Sequence, residues 1–304
     1  MNMNIYEHLI CPDCQTKLQM HEHLICESCG RTFSRGDHFL NLLPASLSRV
    51  DLAEECFWAT DSREGVKAHP LLGLLVKSDF MLYFHEQILP KLRLQGKILE
   101  IGSGSCWLSS IIKLIFPETY VITTDVAPSA LIKGAQISKF LNARIDYFIA
   151  CKVEHLPFEN NFFDYIIGSS ILHHTCPPEA IHQIFRVLKN HGTYIGIGEL
   201  AIPRTLSLLW GSRFGLPGRR EKELGVKEGN YSFNQWKKFF DEAGFDEVKC
   251  NLEKDPQYKH YHWFISFYYK VISHLPELLV RRCLASSIMI IAKKREHATD
   301  VMVI

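Results

Sequence analysis

The chain has 304 residues, 47% of them hydrophobic, and its 34 basic and 33 acidic residues leave a net charge of +1. That length accommodates one domain of ordinary catalytic size plus a satellite module, with enough apolar residues to fill a core. The charge balance excludes a global field that would draw the molecule to nucleic acid or to anionic lipid, leaving only local patches. No stretch reaches the roughly 18 uninterrupted apolar residues of a membrane span, and the N-terminus lacks the succession of a secretory signal, so a cytoplasmic location is expected.

Of the ten cysteines, four fall in the first 30 residues as two CxxC pairs, Cys11 with Cys14 and Cys26 with Cys29. Each pair forms a tight knuckle that aims two sulfurs at one point, and four thiolates enclose a tetrahedral metal, for which zinc is the natural occupant. Four protein ligands close the site, so the metal is structural. A segment this short has too small a core to fold alone, and the metal supplies much of its folding free energy. His21 and His23 between the pairs read as surface residues, and Gly30 gives the second knuckle a free backbone position. The stretch from His8 to Pro44, closing on "FLNLLP", resembles the small zinc ribbons of the transfer-RNA methyltransferase activator family. Its "FSRGDHF" departs from that family's aromatic-proline-apolar run. The resemblance implies a ribbon over residues 1–45 that can meet a protein partner.

Residues 46–90 read as a helical linker or cap, with Leu71, Leu72, Leu75, Phe80, Leu82 and Tyr83 near a 3.6 spacing. From residue 91 to 304, strand-like and helix-like segments alternate, which predicts a parallel sheet covered on both faces. "KILEIGSGS" is a buried strand entering a glycine turn, followed by the helix "WLSSIIKLIF"; "YVITTD" is the second strand, and Pro128 opens the next helix. "RIDYFIA" and the start of "NNFFDYIIGSSILHH" are the third and fourth strands. "PEAIHQIFRVLKNHG" is a helix expected to close at Gly192, and "TYIGIGEL" a fifth strand. Two irregular insertions, 201–230 and 253–284, flank the helix "FNQWKKFFDEAG" and the strand "DEVKCNL", and "SIMIIAKK" is the last strand.

The chemistry concentrates at the first strand's end. Gly102 and Gly104 remove side chains where backbone must pass close to a ligand, Glu100 precedes them, and Asp125 ends the second strand, about 20 residues on, where a carboxylate accepts from both hydroxyls of a ribose. Together these predict a nucleoside. A dinucleotide would need a third glycine where Trp107 stands, and Glu100 would repel a pyrophosphate, whereas a sulfonium cofactor with an ammonium group tolerates it.

These residues resemble the class I methyltransferases of the menaquinone and ubiquinone type. The likeness runs from about Leu92 to Gly198 and is carried by "ILEIGSGSCWLS", "TTDVAPSALIKGA", "VEHLPFENNFFDYIIGSSILHH" and "PEAIHQIFRVLKNHGTYIGIGE", in that order. It implies a Rossmann-like α/β fold with a seven-stranded methyltransferase sheet and S-adenosylmethionine as cofactor. It also implies that Glu100, Gly102 and Gly104 line the methionine part, Asp125 holds the ribose, Val126 flanks the adenine, Glu154 and Leu156 close over it, and Ser169 to His173 lie beside the transferable methyl. Cys106 replaces the third small residue of the glycine turn, and Lys152 replaces the acid that meets the adenine amino group.

Methyl transfer is an in-line displacement that mainly requires alignment and exclusion of water. A hydroxyl or ammonium acceptor also needs a base, and His173 and His174 stand where one is wanted, either as base or as substrate-positioning groups. Glu199 reads as a ligand for a substrate hydroxyl or as an ordinary strand-end charge; Cys106 and Cys151 read as packing residues. The aromatic stretch 257–282 admits three roles: a lid over an apolar acceptor, a peripheral membrane contact, or core. The functional expectation is methyl transfer to a small-molecule, lipid-like or saccharide acceptor. An RNA-base methyltransferase, which the charge balance disfavours, and a non-catalytic binding protein are the alternatives.

Overall fold

The structure is a computed structural model that describes residues 3–60, 84–203, 206, 225, 227, 229–253 and 263–295. The apolar series from Leu71 to Tyr83 lies outside the described residues.

The N-terminal module consists of three two-residue strands, β1 (Gln19–Met20), β2 (Leu24–Ile25) and β3 (Thr32–Phe33), paired antiparallel in that order. Its two knuckles share one geometry. Cys11 N donates to Thr16 O at 2.8 Å and Gln15 N to Cys11 O at 2.9 Å; Cys26 N donates to Arg31 O and Gly30 N to Cys26 O, both at 2.8 Å. The equivalent fourth residues, Gln15 and Gly30, both adopt left-handed backbone (φ 61° and 73°), which confirms the conformational demand read at Gly30.

The chain then forms β4 (Leu40–Asn41), α1 (Arg49–Thr60), β5 (Lys97–Ile101), α2 (Trp107–Ile115), β6 (Tyr120–Asp125), α3 (Pro128–Phe140), β7 (Tyr147–Ala150), β8 (Phe163–Ser169), α4 (Pro177–Val187) and β9 (Leu188–Ala201). It closes with α5 (Phe233–Glu242), β10 (Glu247–Leu252), α6 (Trp263–Ser273), α7 (Glu277–Cys283) and β11 (Ser286–Lys293). The main sheet has eight strands in the order β10-β11-β9-β8-β5-β6-β7-β4, with β11 antiparallel to both neighbours and the other pairs parallel. The expected seven strands are β5 to β11. The eighth is β4, with which the N-terminal module covers the free edge of β7, Leu40 opposite Ile149 and Asn41 opposite Ala150.

Strands buried on both faces read as continuous apolar runs, and Ile98, Leu99 and Ile101 of β5 are fully buried. Each such side chain contributes roughly 1.5–3 kcal/mol relative to exposure. One continuous core joins the two parts: Ile5, Leu9, Leu18 and Phe33 of the module pack in the same cluster as Leu99, Phe158 and Trp236. Successive strands leave β5 first toward β7 and then toward β9, so the order reverses at β5; ligands of open α/β sheets bind at the carboxyl ends beside such a point.

One boundary departs from expectation. α4 ends at Val187, not at Gly192, because Leu188 already has extended backbone and pairs with Phe163. Gly192 instead lies in an irregular stretch of β9 before Thr193 joins Tyr165.

Candidate functional site

The glycine turn after β5 bends through three left-handed residues, Gly102 (φ 57°), Gly104 (φ 51°) and Cys106 (φ 56°). A Cβ on Gly102 would collide with Ile171, so this glycine serves close packing as well as conformation. Cys106 stands where a smaller residue was expected, and the compensation comes from Gly134 of α3: a Cβ there would overlap the Cys106 sulfur, which occupies that notch. Burial pushes the Cys106 and Cys151 thiols far up, in keeping with packing roles.

Asp125, at the end of β6, accepts from Gly104 N at 2.8 Å through Oδ2 and from Ala127 N at 2.9 Å through Oδ1. It thus ties the glycine turn to the start of α3. Burial, opposed by those amide bonds, raises its carboxyl to about 6. Glu100 is buried, and its Oε2 accepts from Ser109 N at 3.0 Å, from the Ser109 hydroxyl and from the Thr123 hydroxyl at 3.2 Å. The carboxylate therefore braces the first turns of α2 against β6. Burial raises it to about 7 against the opposing hydrogen bonds of Ser109.

Other expected cofactor contacts separate into surface and support. Val126 and Ser169 are half-buried at the strand ends. Glu154 instead accepts from Cys176 N at 2.9 Å, the residue that precedes α4, and Leu156 is buried in the main core. Both hold the loop after β7 in place.

At the ends of β8 and β9 the two histidine rings lie with centroids 4.2 Å apart, tilted by 40°. Glu199, fully buried, accepts from Ile171 N at 2.9 Å and Leu172 N at 2.8 Å through Oε1, while its Oε2 lies 2.8 Å from His173 Nδ1. Burial alone would raise this carboxyl; His173 and the two amides outweigh it and the net shift is downward, so the group stays ionised. Glu199 is thus no exposed strand-end charge, and its contacts are to the 171–172 backbone and the His173 ring. His174 Nδ1 meets Lys227 O at 2.7 Å and lies 3.7 Å from Glu54.

The largest addition to the expected site is α1. Asp51 pairs with Lys152 at 3.0 Å, just past β7. Glu55 accepts from Ser129 N at 3.1 Å and from its hydroxyl, at the start of α3. The Trp58 indole covers Gly104, where a Cβ would sit 2.7 Å from Cη2. α1 therefore crosses the carboxyl ends of the sheet like a roof. The spacing of Asp51, Glu54, Glu55 and Trp58, one helical face at i, i+3, i+4 and i+7, was the available signal. What the sequence could not reveal is which strand ends that face meets.

In the N-terminal module the sulfurs of Cys11, Cys14, Cys26 and Cys29 all lie within 4.8 Å of one another. Hydrogen bonds from Thr16 lower the Cys14 thiol to about 6, whereas burial raises Cys11. His21 and His23 are exposed, outside the cluster.

Comparison with known proteins follows this geometry. Residues 99–196 match the family model described as a methyltransferase domain. The chain thus carries a methyltransferase domain over those residues, which include the glycine turn after β5. Three solved structures share the fold. One is a complex of the Trm112 methyltransferase activator and a methyltransferase from Haloferax volcanii, at TM-score 0.56 and 14% identity, covering 81% of this chain and 98% of that one. Another is phosphoethanolamine N-methyltransferase 2 of Haemonchus contortus with S-adenosyl-L-methionine, at TM-score 0.52 and 14% identity, covering 83% of this chain and 61% of that one. The third is geranyl diphosphate C-methyltransferase of Streptomyces coelicolor, at TM-score 0.52 and 12% identity, covering 71% and 76%. No curated protein matches the chain in sequence. The chain therefore pairs a methyltransferase domain over those residues with a fold that it shares with solved methyltransferases.

Proposed function

We propose that the chain transfers the methyl group of S-adenosylmethionine to a small-molecule or lipid-like acceptor, with His173 as proton acceptor and Glu199 as the residue that positions it. The observation that carries this is the 2.8 Å contact between His173 Nδ1 and a buried, ionised carboxylate at the methyl-transfer end of the sheet. A carboxylate at Nδ1 keeps the proton there and leaves Nε2 as the basic nitrogen, the tautomer a general base needs.

The residues of the donor edge fit the cofactor. Asp125 is the ribose ligand, and each of its oxygens keeps a second lone pair after accepting one amide. Gly102 and Gly104 bring bare backbone to the methionine portion, and Glu100 fixes the helix behind the turn. Val126, Ser169 and the loop held by Glu154 and Leu156 complete the pocket. Asp51 neutralises Lys152 and restores a carboxylate at the adenine end. When bound, the donor supplies a methyl carbon activated by positive sulfur; the chain aligns the acceptor, excludes water under α1, and removes a proton at His173 Nε2.

In this reading zinc occupies the four cysteines as a structural ion, and residues 1–45 form a built-in ribbon that supports the sheet edge. Calorimetric titration of the zinc-loaded protein with S-adenosylmethionine is the primary test: saturable binding that Asp125→Asn weakens is expected, and its absence in the folded wild type overturns the assignment. Labelled cofactor incubated with cell extract then identifies the acceptor.

A further inference from the structure

A cavity of about 620 Å³ opens beside the far end of β9, between α5 and α7. Pro203, Phe233 and Leu278 give it apolar walls, and Lys238, Arg281 and Arg282 bring three cations to it. In a chain with net charge +1 this is a local concentration of positive charge. Nearby acids offset it in part: Glu277 pairs with Arg281, and Glu242 lies 3.4 Å from Lys238. Arg282 has no ion pair among the described residues.

Arg281 is held in place before any ligand arrives. Its guanidinium lies 4.0 Å over the Phe233 ring and donates to Cys250 O at 3.2 Å, while its buried Nε has no hydrogen-bond partner among the described residues. A planar guanidinium with spare donors beside a second arginine matches the oxygens of a phosphate group. The first turn of α5 lines the same cavity and adds the positive end of its dipole.

The cavity also adjoins the reaction site along the chain. Gly229 N donates to His173 O at 2.8 Å, Ile202 N donates to Tyr231 O at 2.8 Å, and the next residue begins the turn that lines the cavity. The segment 229–232 thus leads from the histidine pair to the cations.

We propose that this cavity is an anion subsite that receives a phosphate group on an acceptor with an apolar body. The assignment of the anion as part of the acceptor rests on the methyltransferase reading; the anion site itself does not. The test titrates full-length, zinc-loaded protein with hexyl phosphate, inorganic phosphate and hexanol, and sediments it with phosphatidylglycerol or phosphatidylcholine vesicles. Arg282→Gln and Lys238→Gln, singly and together, are the variants, and thermal denaturation verifies their folding.

Hexyl phosphate is expected to bind saturably, more tightly than either fragment, with a roughly 10-fold or greater loss in the double variant, as for loss of charge-assisted hydrogen bonds. Donor affinity stays unchanged in the variants. Equal binding of hexanol and hexyl phosphate, or undiminished affinity in a folded double variant, overturns the proposal. Sedimentation with phosphatidylglycerol without binding of hexyl phosphate also overturns it, assigning the cations to a membrane surface instead. A wild type that binds hexyl phosphate but no S-adenosylmethionine leaves the anion site standing and removes the catalytic reading.

Discussion

Glu199→Gln isolates the electrostatic claim at the centre of the site. Glu199 Oε1 accepts the amides of Ile171 and Leu172, and glutamine retains an oxygen that can do the same. Its amide nitrogen then faces His173 Nδ1, at the place of an oxygen now 2.8 Å away, and two donors cannot share that contact. His173 must release its Nδ1 proton, which moves the remaining proton to Nε2 and leaves no basic nitrogen toward the acceptor. Losing a hydrogen bond to a charged group costs about 1.5–3 kcal/mol, so the melting temperature should fall by several degrees. The rate effect should be larger, roughly 10²–10⁴, the usual contribution of a general base, with donor affinity unchanged. Nitrogen-15 NMR of the imidazoles reads the tautomer directly, and single-turnover methyl transfer reads the rate. If the variant keeps an Nδ1-protonated His173 and a rate within threefold of wild type, the orienting role of Glu199 is refuted.

Gly134→Ala should destabilise the chain by about 1–3 kcal/mol by overpacking against the Cys106 sulfur, and Cys106→Ala should relieve most of that cost in a double-mutant denaturation cycle. Glu100 is raised from 4.5 to about 7, so the folded chain holds a proton that the unfolded chain has lost between those values. Ligand-free stability therefore decreases as pH rises through that window, measured by urea unfolding at several pH values. Asp125, raised to about 6, must be ionised to accept ribose hydroxyls fully, so donor affinity should increase with pH through 6 to 7, with proton release seen by calorimetry in buffers of differing ionisation heat. Chelating the metal assigned to the cysteines should raise hydrogen exchange at the amides of Ile10 and Glu159, because Ile10 N donates to Pro157 O and Glu159 N donates to His8 O.

The main sheet was legible because its signals are local. The apolar run "YVITTD" defined β6 to the residue, "KILEIGSGS" marked the start of β5 and the turn after it, and paired CxxC knuckles located the sulfur cluster. The end of α4 was misplaced because strand pairing at Phe163 captures Leu188 before Gly192 can terminate the helix, and pairing is a tertiary event. Glu154, expected in the loop that closes over the adenine, also accepts Cys176 N before α4, a partner 22 residues away that no spacing rule indicates. The aromatic stretch 257–282 was also ambiguous. Its described helices leave Phe267 59% and Leu278 62% exposed, so core packing does not account for those side chains. Among the described residues no helix is long and apolar enough to cross a membrane.

The N-terminal module does more than gather four cysteines. A two-residue strand contributes little pairing by itself, yet β4 is continued by Leu42 N donating to Ala150 O at 2.8 Å, and Ile10 and Glu159 extend the contact to the loop after β7. His8 and Lys17 both reach the Glu159 carboxylate at 3.0 Å. That same loop carries Lys152, whose partner Asp51 lies on α1, and α1 places Trp58 over the glycine turn. Sulfur cluster, sheet edge, loop and roof helix thus form one connected set of short contacts. Under the proposed function, the adenine end of the donor site is anchored by the module, whereas the acceptor end is anchored by Glu199 and the segment 229–232. A change in the module should therefore act on donor binding and leave the His173 tautomer unmoved.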